Sequence, residues 1–216
     1  MNQKQIIDNI VEWTTDVYRN AFGSLIDYDT RALVTDLSDF DEEFRQRDQG
    51  KEIIESIEEE PNRAKNFNIG NNSILYIPKG NLLEPIFEET WHSVSPLKNG
   101  SRNEETFVVI ARYLALREAL REGKADVGRP KEIIENSITG EYTGTGLELN
   151  TVDERKYEDR NACLGLLEYF EQGNNGKPVE MDTIAKISKN ILNEIVDGEA
   201  ADRAIAKVEK EISTES

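Results

Sequence analysis

Cysteine and histidine are nearly missing from this chain. Cys163 and His92 are the only examples in 216 residues, so no intramolecular disulfide can form. A structural zinc site takes four thiolate or imidazole ligands and is excluded by the same count. Nucleophilic catalysis loses most of its players too, because a serine or cysteine needs a base beside it and only one histidine exists. No Gly-x-Ser-x-Gly elbow presents a serine. Cys163, set among Ala162, Leu164 and Leu166, reads as a small buried hydrophobe. His92 follows Trp91 ahead of a loop and reads as a partly exposed polar residue.

Phosphate-cradling loops are absent as well. Gly123-Lys124 and Gly176-Lys177 lack the upstream glycine and the hydroxyl of a phosphate loop, and Gly144-Thr145-Gly146 lacks the third glycine of a dinucleotide fingerprint. Glu122-Gly123-Lys124 and Glu154-Arg155-Lys156 match a nuclease tripeptide but fall at predicted helix ends rather than on strands. No run approaches eighteen apolar residues, so no membrane span is expected. The first residues lack the basic start and apolar run of a signal peptide. The expected compartment is the cytoplasm, and no cofactor is expected.

What the chain has in excess is negative charge. Forty-three acidic residues face twenty-six basic ones, a formal net charge of −17, with 32% of residues charged and 37% hydrophobic. Such a field opposes the phosphates of nucleic acids and the head groups of anionic lipids, so direct binding to either is not expected. The acidity is uneven. Residues 1–61 hold sixteen acids and six bases, more than half of the net charge in under a third of the chain. Its densest carboxylates, Asp27, Asp29, Asp36, Asp39 and Asp41, are the candidates for a hard cation. They do not follow the calcium-loop pattern, and in so acidic a stretch they read first as a solvated face.

One segment runs against this background. Between residues 110 and 131 stand Arg112, Arg117, Arg121, Lys124, Arg129 and Lys131, offset by Glu118, Glu122 and Asp126. Arg117, Arg121 and Lys124 share a helical face near a helix C-terminus, which favours cations. These six are the candidate partner-binding residues.

Apolar periodicity supplies the fold class. A helix is predicted over about residues 3–22, with Ile6, Ile10, Trp13 and Val17 as its stripe, widened by Ile7, Val11, Tyr18 and Phe22. Asp39 and Glu42 resemble a helix start, and a charged helix is expected to break at Gly50 and resume until Pro61. Residues 62–72 read as a loop and 73–77 as the best strand. A short helix with Pro85 in its first turn follows. Ser101 and Glu104 form a capping box ahead of the strongest helix, to about Glu122, stopped by Gly123. Thr151 and Glu154 suggest a helix to about Gln172. Asp182 is expected to cap the next one, lined by Ile184, Ile187, Ile191 and Ile195. A turn at Asp197-Gly198 leads to a last helix through Ala201, Ile205, Val208 and Ile212, antiparallel to its neighbour.

The expected fold is therefore mainly α, a bundle-like helical core with at most a small β element around 73–77, and 145–150 as a second hairpin candidate. An acidic helical region over 1–61 precedes a helical core over 73–216, or the two form one continuous domain. The expected function is non-catalytic: a subunit, adaptor or inhibitor that works through protein–protein contacts, in an assembly with other proteins or with copies of itself. Two alternatives stand beside it, an acidic mimic of DNA that occupies a nucleic-acid-binding protein and a carboxylate metal-dependent phosphohydrolase or nuclease.

Overall fold

In a computed structural model of the chain, the described residues are 2–26, 31–69, 72–78, 83–98, 100–124, 130, 131, 134 and 162–214. Among them are eight α-helices and three strands, so the chain is mainly α with a small β element, as its periodicity predicts. The expected strand at 73–77 is present; the candidate hairpin at 145–150 and the Thr151–Glu154 capping box lie outside the described residues. No helix among the described residues is long and apolar enough to cross a membrane. The chain gathers into two units. One holds residues 1–16 and 27–95, and the other residues 17–26 and 96–216.

The first unit is built on a three-stranded sheet. Strand β1 (Arg31–Val34) lies parallel to β3 (Asn72–Tyr76), and β2 (Lys65–Ile69) lies antiparallel to β3 on its other side. Alternation along β3 divides the core in two. Leu75 and Ile77 pack with Ile7 and Val11 of helix α1 (Gln3–Phe22) and Ile86 of helix α4 (Leu83–Val94). Ile74 and Tyr76 face the other way, toward Phe40, Ile53 and Ile57. The rings of Trp13 and Phe87, 5.9 Å apart, join α1 to α4.

Three expectations for this unit are corrected. Residues 62–72 are not all loop, because β2 occupies 65–69; its asparagines, poor strand formers, hide an alternation in which Phe67 and Ile69 pack inward. The helix break falls at Arg47, not Gly50. Helix α2 (Glu42–Gln46) is capped by Asp41, whose carboxylate accepts from the Phe44 amide at 2.7 Å, and α3 (Asp48–Glu59) runs straight through Gly50. A β-carbon at Gly50 would stand 1.9 Å from the Phe44 carbonyl oxygen. This glycine serves close approach between α2 and α3 rather than termination. In α1 the buried stripe is Ile7, Val11, Tyr18 and Phe22, while Ile6, placed in the expected stripe, is 46% exposed.

The second unit is helical. Helix α5 (Arg102–Arg121) is buried continuously from Thr106 to Leu116 and packs on α7 (Met181–Val196) and α8 (Ala201–Thr214). Its start uses the predicted pair: Ser101 accepts from the Glu104 amide at 3.3 Å, while the Glu104 carboxylate accepts from the amide of Gly100 at 3.0 Å rather than from that of Ser101, which donates to the Lys98 carbonyl. Gly123, with φ +67°, ends it in the left-handed region. Helix α6 (Leu164–Gln172) begins at Leu164, and Ala162 and Cys163 form a turn rather than continuing the predicted helix. The N-cap of α7 is Glu180; Asp182 lies inside its first turn. The α7–α8 turn uses Gly198 at φ +106°. It is held by Asn103 of α5, whose side chain accepts from the Ala201 amide at 3.0 Å and donates to the Glu199 carbonyl at 3.2 Å.

Candidate functional site

The charged residues singled out from sequence meet very different fates. Arg112 is 1% exposed, inside the buried length of α5, and is therefore no part of a surface patch. Its spacing from Arg117 gave no sign of this, because burial on every side of α5 follows from its neighbours and not from its own stripe. Arg121 is exposed but ion-paired with Glu118, and it approaches Glu122 at 3.9 Å. Lys124 pairs with Glu122 at 2.8 Å and Lys131 with Glu168 at 2.8 Å. Arg129 lies outside the described residues.

Arg117 differs from the rest. It is half-buried near the end of α5 and donates from Nη2 to the Val179 carbonyl at 3.3 Å. That carbonyl belongs to the extended segment before α7, which is fastened by the Val179 amide donating to the Phe170 carbonyl at 2.9 Å. Between helix and segment opens a cleft of about 610 Å³. Arg117, Leu120 and Arg121 line it from α5, and Lys177 to Met181 line the other wall. Leu120, Pro178, Val179 and Met181 give it an apolar floor. Lys177 is exposed on its edge, and among the described residues neither Lys177 nor Arg117 makes an ion pair. Glu180 lines the same wall but is paired with neither, so among the described residues the cleft presents two cations without an ion pair beside apolar surface. Lys177 was missed in the sequence, since it sits in an ordinary-looking Gly-Asn-Asn-Gly-Lys-Pro turn sixty residues from Arg117 and no periodicity links the two.

A second cleft, of about 710 Å³, lies along the α7–α8 hairpin and is lined by Asn190, Asn193, Asp197 and Glu211 among others. Its cations are already engaged, Lys207 by Glu194 and Arg203 by Glu199. It offers no comparable open cation among the described residues.

The candidate metal carboxylates are spread over separate structural tasks. Asp36 accepts from the Ser38 amide at 2.9 Å and hydroxyl at 2.7 Å. Asp39 accepts from the Thr35 amide at 2.8 Å and pairs with Lys4 at 2.9 Å. Burial pushes the Asp39 carboxyl up, but the Thr35 amide and Lys4 outweigh it and hold the group below the usual carboxylate range. Asp41 caps α2. Among the described residues these three carboxylates do not converge on a common point, and Asp27 and Asp29 lie outside the described residues. His92 is buried, 9% exposed, with Nε2 4.0 Å from the Glu88 carboxylate one helical turn earlier; the expectation of partial exposure missed that the apolar face of α4 carries it inward. Cys163 is fully buried, as expected, and its thiol lies 3.3 Å from the Thr106 carbonyl.

The acidic counterpart of the cleft is the outward face of α3. Ile53 and Ile57 anchor the helix in the core, and Glu52, Glu55, Glu58 and Glu59 stand exposed around the opposite side. Among the described residues none of the four makes an ion pair. Compared with protein-family models, characterised proteins and solved structures, the chain matches none of them.

Proposed function

We propose that this protein works by binding another protein, and that the Arg117–Lys177 cleft is where an acidic segment docks. One observation carries the reading: in a chain of net charge −17, a cleft with an apolar floor keeps two cations without acidic partners among the described residues. Glu118, Glu122 and Glu168 neutralise Arg121, Lys124 and Lys131 instead, and Glu180, at the cleft wall, pairs with neither Arg117 nor Lys177. A ligand that supplies both a carboxylate and an apolar side chain satisfies the two halves of the site together. The charges steer the encounter and set register, while the apolar contact slows dissociation.

Fluorescence anisotropy tests this with a panel of short peptides that combine Asp or Glu with Leu, Ile or Phe. Binding is expected to need both residue types and to weaken about tenfold when Lys177 is replaced by Gln. Equal binding of the wild-type and K177Q proteins to every peptide in the panel would refute the docking site.

A further inference from the structure

We infer that the segment received by the cleft is helix α3 of a second copy of this chain, an inference that rests on the docking reading above. Complementarity of charge and composition carries it. The cleft offers two open cations, not three, because Arg121 is already held by Glu118. Helix α3 offers carboxylates in the matching condition: Glu55 and Glu58 are exposed and, among the described residues, make no ion pair. The apolar half is matched as well. Ile54 is only partly buried at the edge of its own core and lies one turn before Glu58, so the two side chains project side by side. In the inferred contact Ile54 lies against Leu120 and Met181, and Glu55 and Glu58 pair with Arg117 and Lys177.

Two copies of −17 repel, and that repulsion has to be weighed against the contact. At physiological salt charges more than about 8 Å apart are largely screened, whereas an ion pair at contact distance is screened far less. Association is therefore strongest at intermediate ionic strength. Lower salt restores the long-range repulsion, and higher salt erodes the contact itself. The joined surfaces are different, one on α3 and one on α5 with the segment before α7, so the contact is heterologous and either closes into a ring or propagates.

Sedimentation velocity of the full chain up to near-millimolar concentration tests the inference. Wild type is expected to associate, with a maximum at intermediate salt. K177Q, which removes an exposed side chain with no partner among the described residues, and the double replacement Glu55→Gln with Glu58→Gln are each expected to associate about tenfold more weakly alone. Mixed together, the two variants retain one intact cleft and one intact acidic face and should form pairs that grow no further. K210Q, which removes an exposed cation of α8 outside the cleft, should associate like wild type. A wild-type protein that stays monomeric at every salt concentration overturns the inference, as does an E55Q/E58Q protein that associates as strongly as wild type. The acidic-peptide titration separates the two readings: monomeric protein whose cleft still binds peptides loses only the second copy, and loss of peptide binding removes both.

Discussion

Gly50 shows how a single residue can be read correctly as important and wrongly as to why. A glycine inside a charged stretch suggests a helix end, and in an exposed helix its replacement by alanine gains about 1 kcal/mol of propensity. Here the α2 backbone occupies the space, 1.9 Å from where the β-carbon would sit. A carbonyl oxygen cannot step aside as a side chain can, so the clash decides the sign. Gly50→Ala should lower stability by about 2–3 kcal/mol net, read from urea unfolding; a neutral or stabilised variant would show that α2 and α3 are not packed this closely. Gly165 is the contrasting case, since its nearest neighbour is the flexible end of Glu209. Burial raises the Glu209 carboxyl above its ordinary range, and the hydrogen bond from the Leu166 amide only partly offsets this. A carboxyl with a raised folded-state pKa stabilises the fold while protonated, and that contribution is lost as pH rises through the folded value. Glu209→Gln keeps an acceptor for Leu166 and removes the charge. It should raise the melting temperature by about 1–3 °C at neutral pH, with the difference vanishing below about pH 4. The exposed Glu211→Gln controls for the general relief of negative charge, and an offset for E209Q that stays constant with pH would point to packing instead.

At the scale of elements, legibility followed the strength of the local signal. Helix α5 announces itself through a capping serine, an apolar run and a terminating glycine, and all three are realised at Ser101, Thr106–Leu116 and Gly123. The last two helices and their turn were equally legible, because isoleucine spacing and Asp197-Gly198 agree. Strand β2 was not, since Asn66 and Asn68 carry no strand preference and the segment is strand-like only because β3 accepts its backbone hydrogen bonds. Two helix starts were displaced by two positions, Asp39 for Asp41 and Asp182 for Glu180, because any of several acids can stand at a helix start and tertiary partners decide which one does. The cleft was half legible: Arg117 lay in the predicted basic segment, but Lys177 reaches it only through the fold. Central packing supplies the prediction here. Leu114 on α5 is 1% exposed and Ile191 on α7 is fully buried. Truncation of either to alanine should cost about 2–5 kcal/mol. Denaturation midpoints that hardly move for either variant would mean that α5 and α7 do not form the centre of their unit.

For the whole molecule, the distribution of cations matters more than their number. A basic run of six residues in the sequence suggests a surface that offsets the acidic field and meets a partner. The structure removes Arg112 to the interior and pairs Arg121, Lys124 and Lys131 with the protein's own carboxylates. The cleft is left with Arg117 and Lys177. Two phosphate contacts correspond to a salt slope of about −2, against about −5 to −9 for proteins that grip a duplex through six to ten phosphates. Against a net charge of −17, two contacts do not produce tight binding. The protein should therefore show no measurable affinity for duplex or single-stranded DNA at physiological salt, and any binding that emerges at low salt should fall with a slope no steeper than about −2. Electrophoretic mobility shifts over a salt series measure both quantities. Submicromolar binding with a steep slope would require a larger cationic surface than the two cations of the cleft provide, and it would turn the cleft from a receptor for carboxylates into part of a nucleic-acid interface.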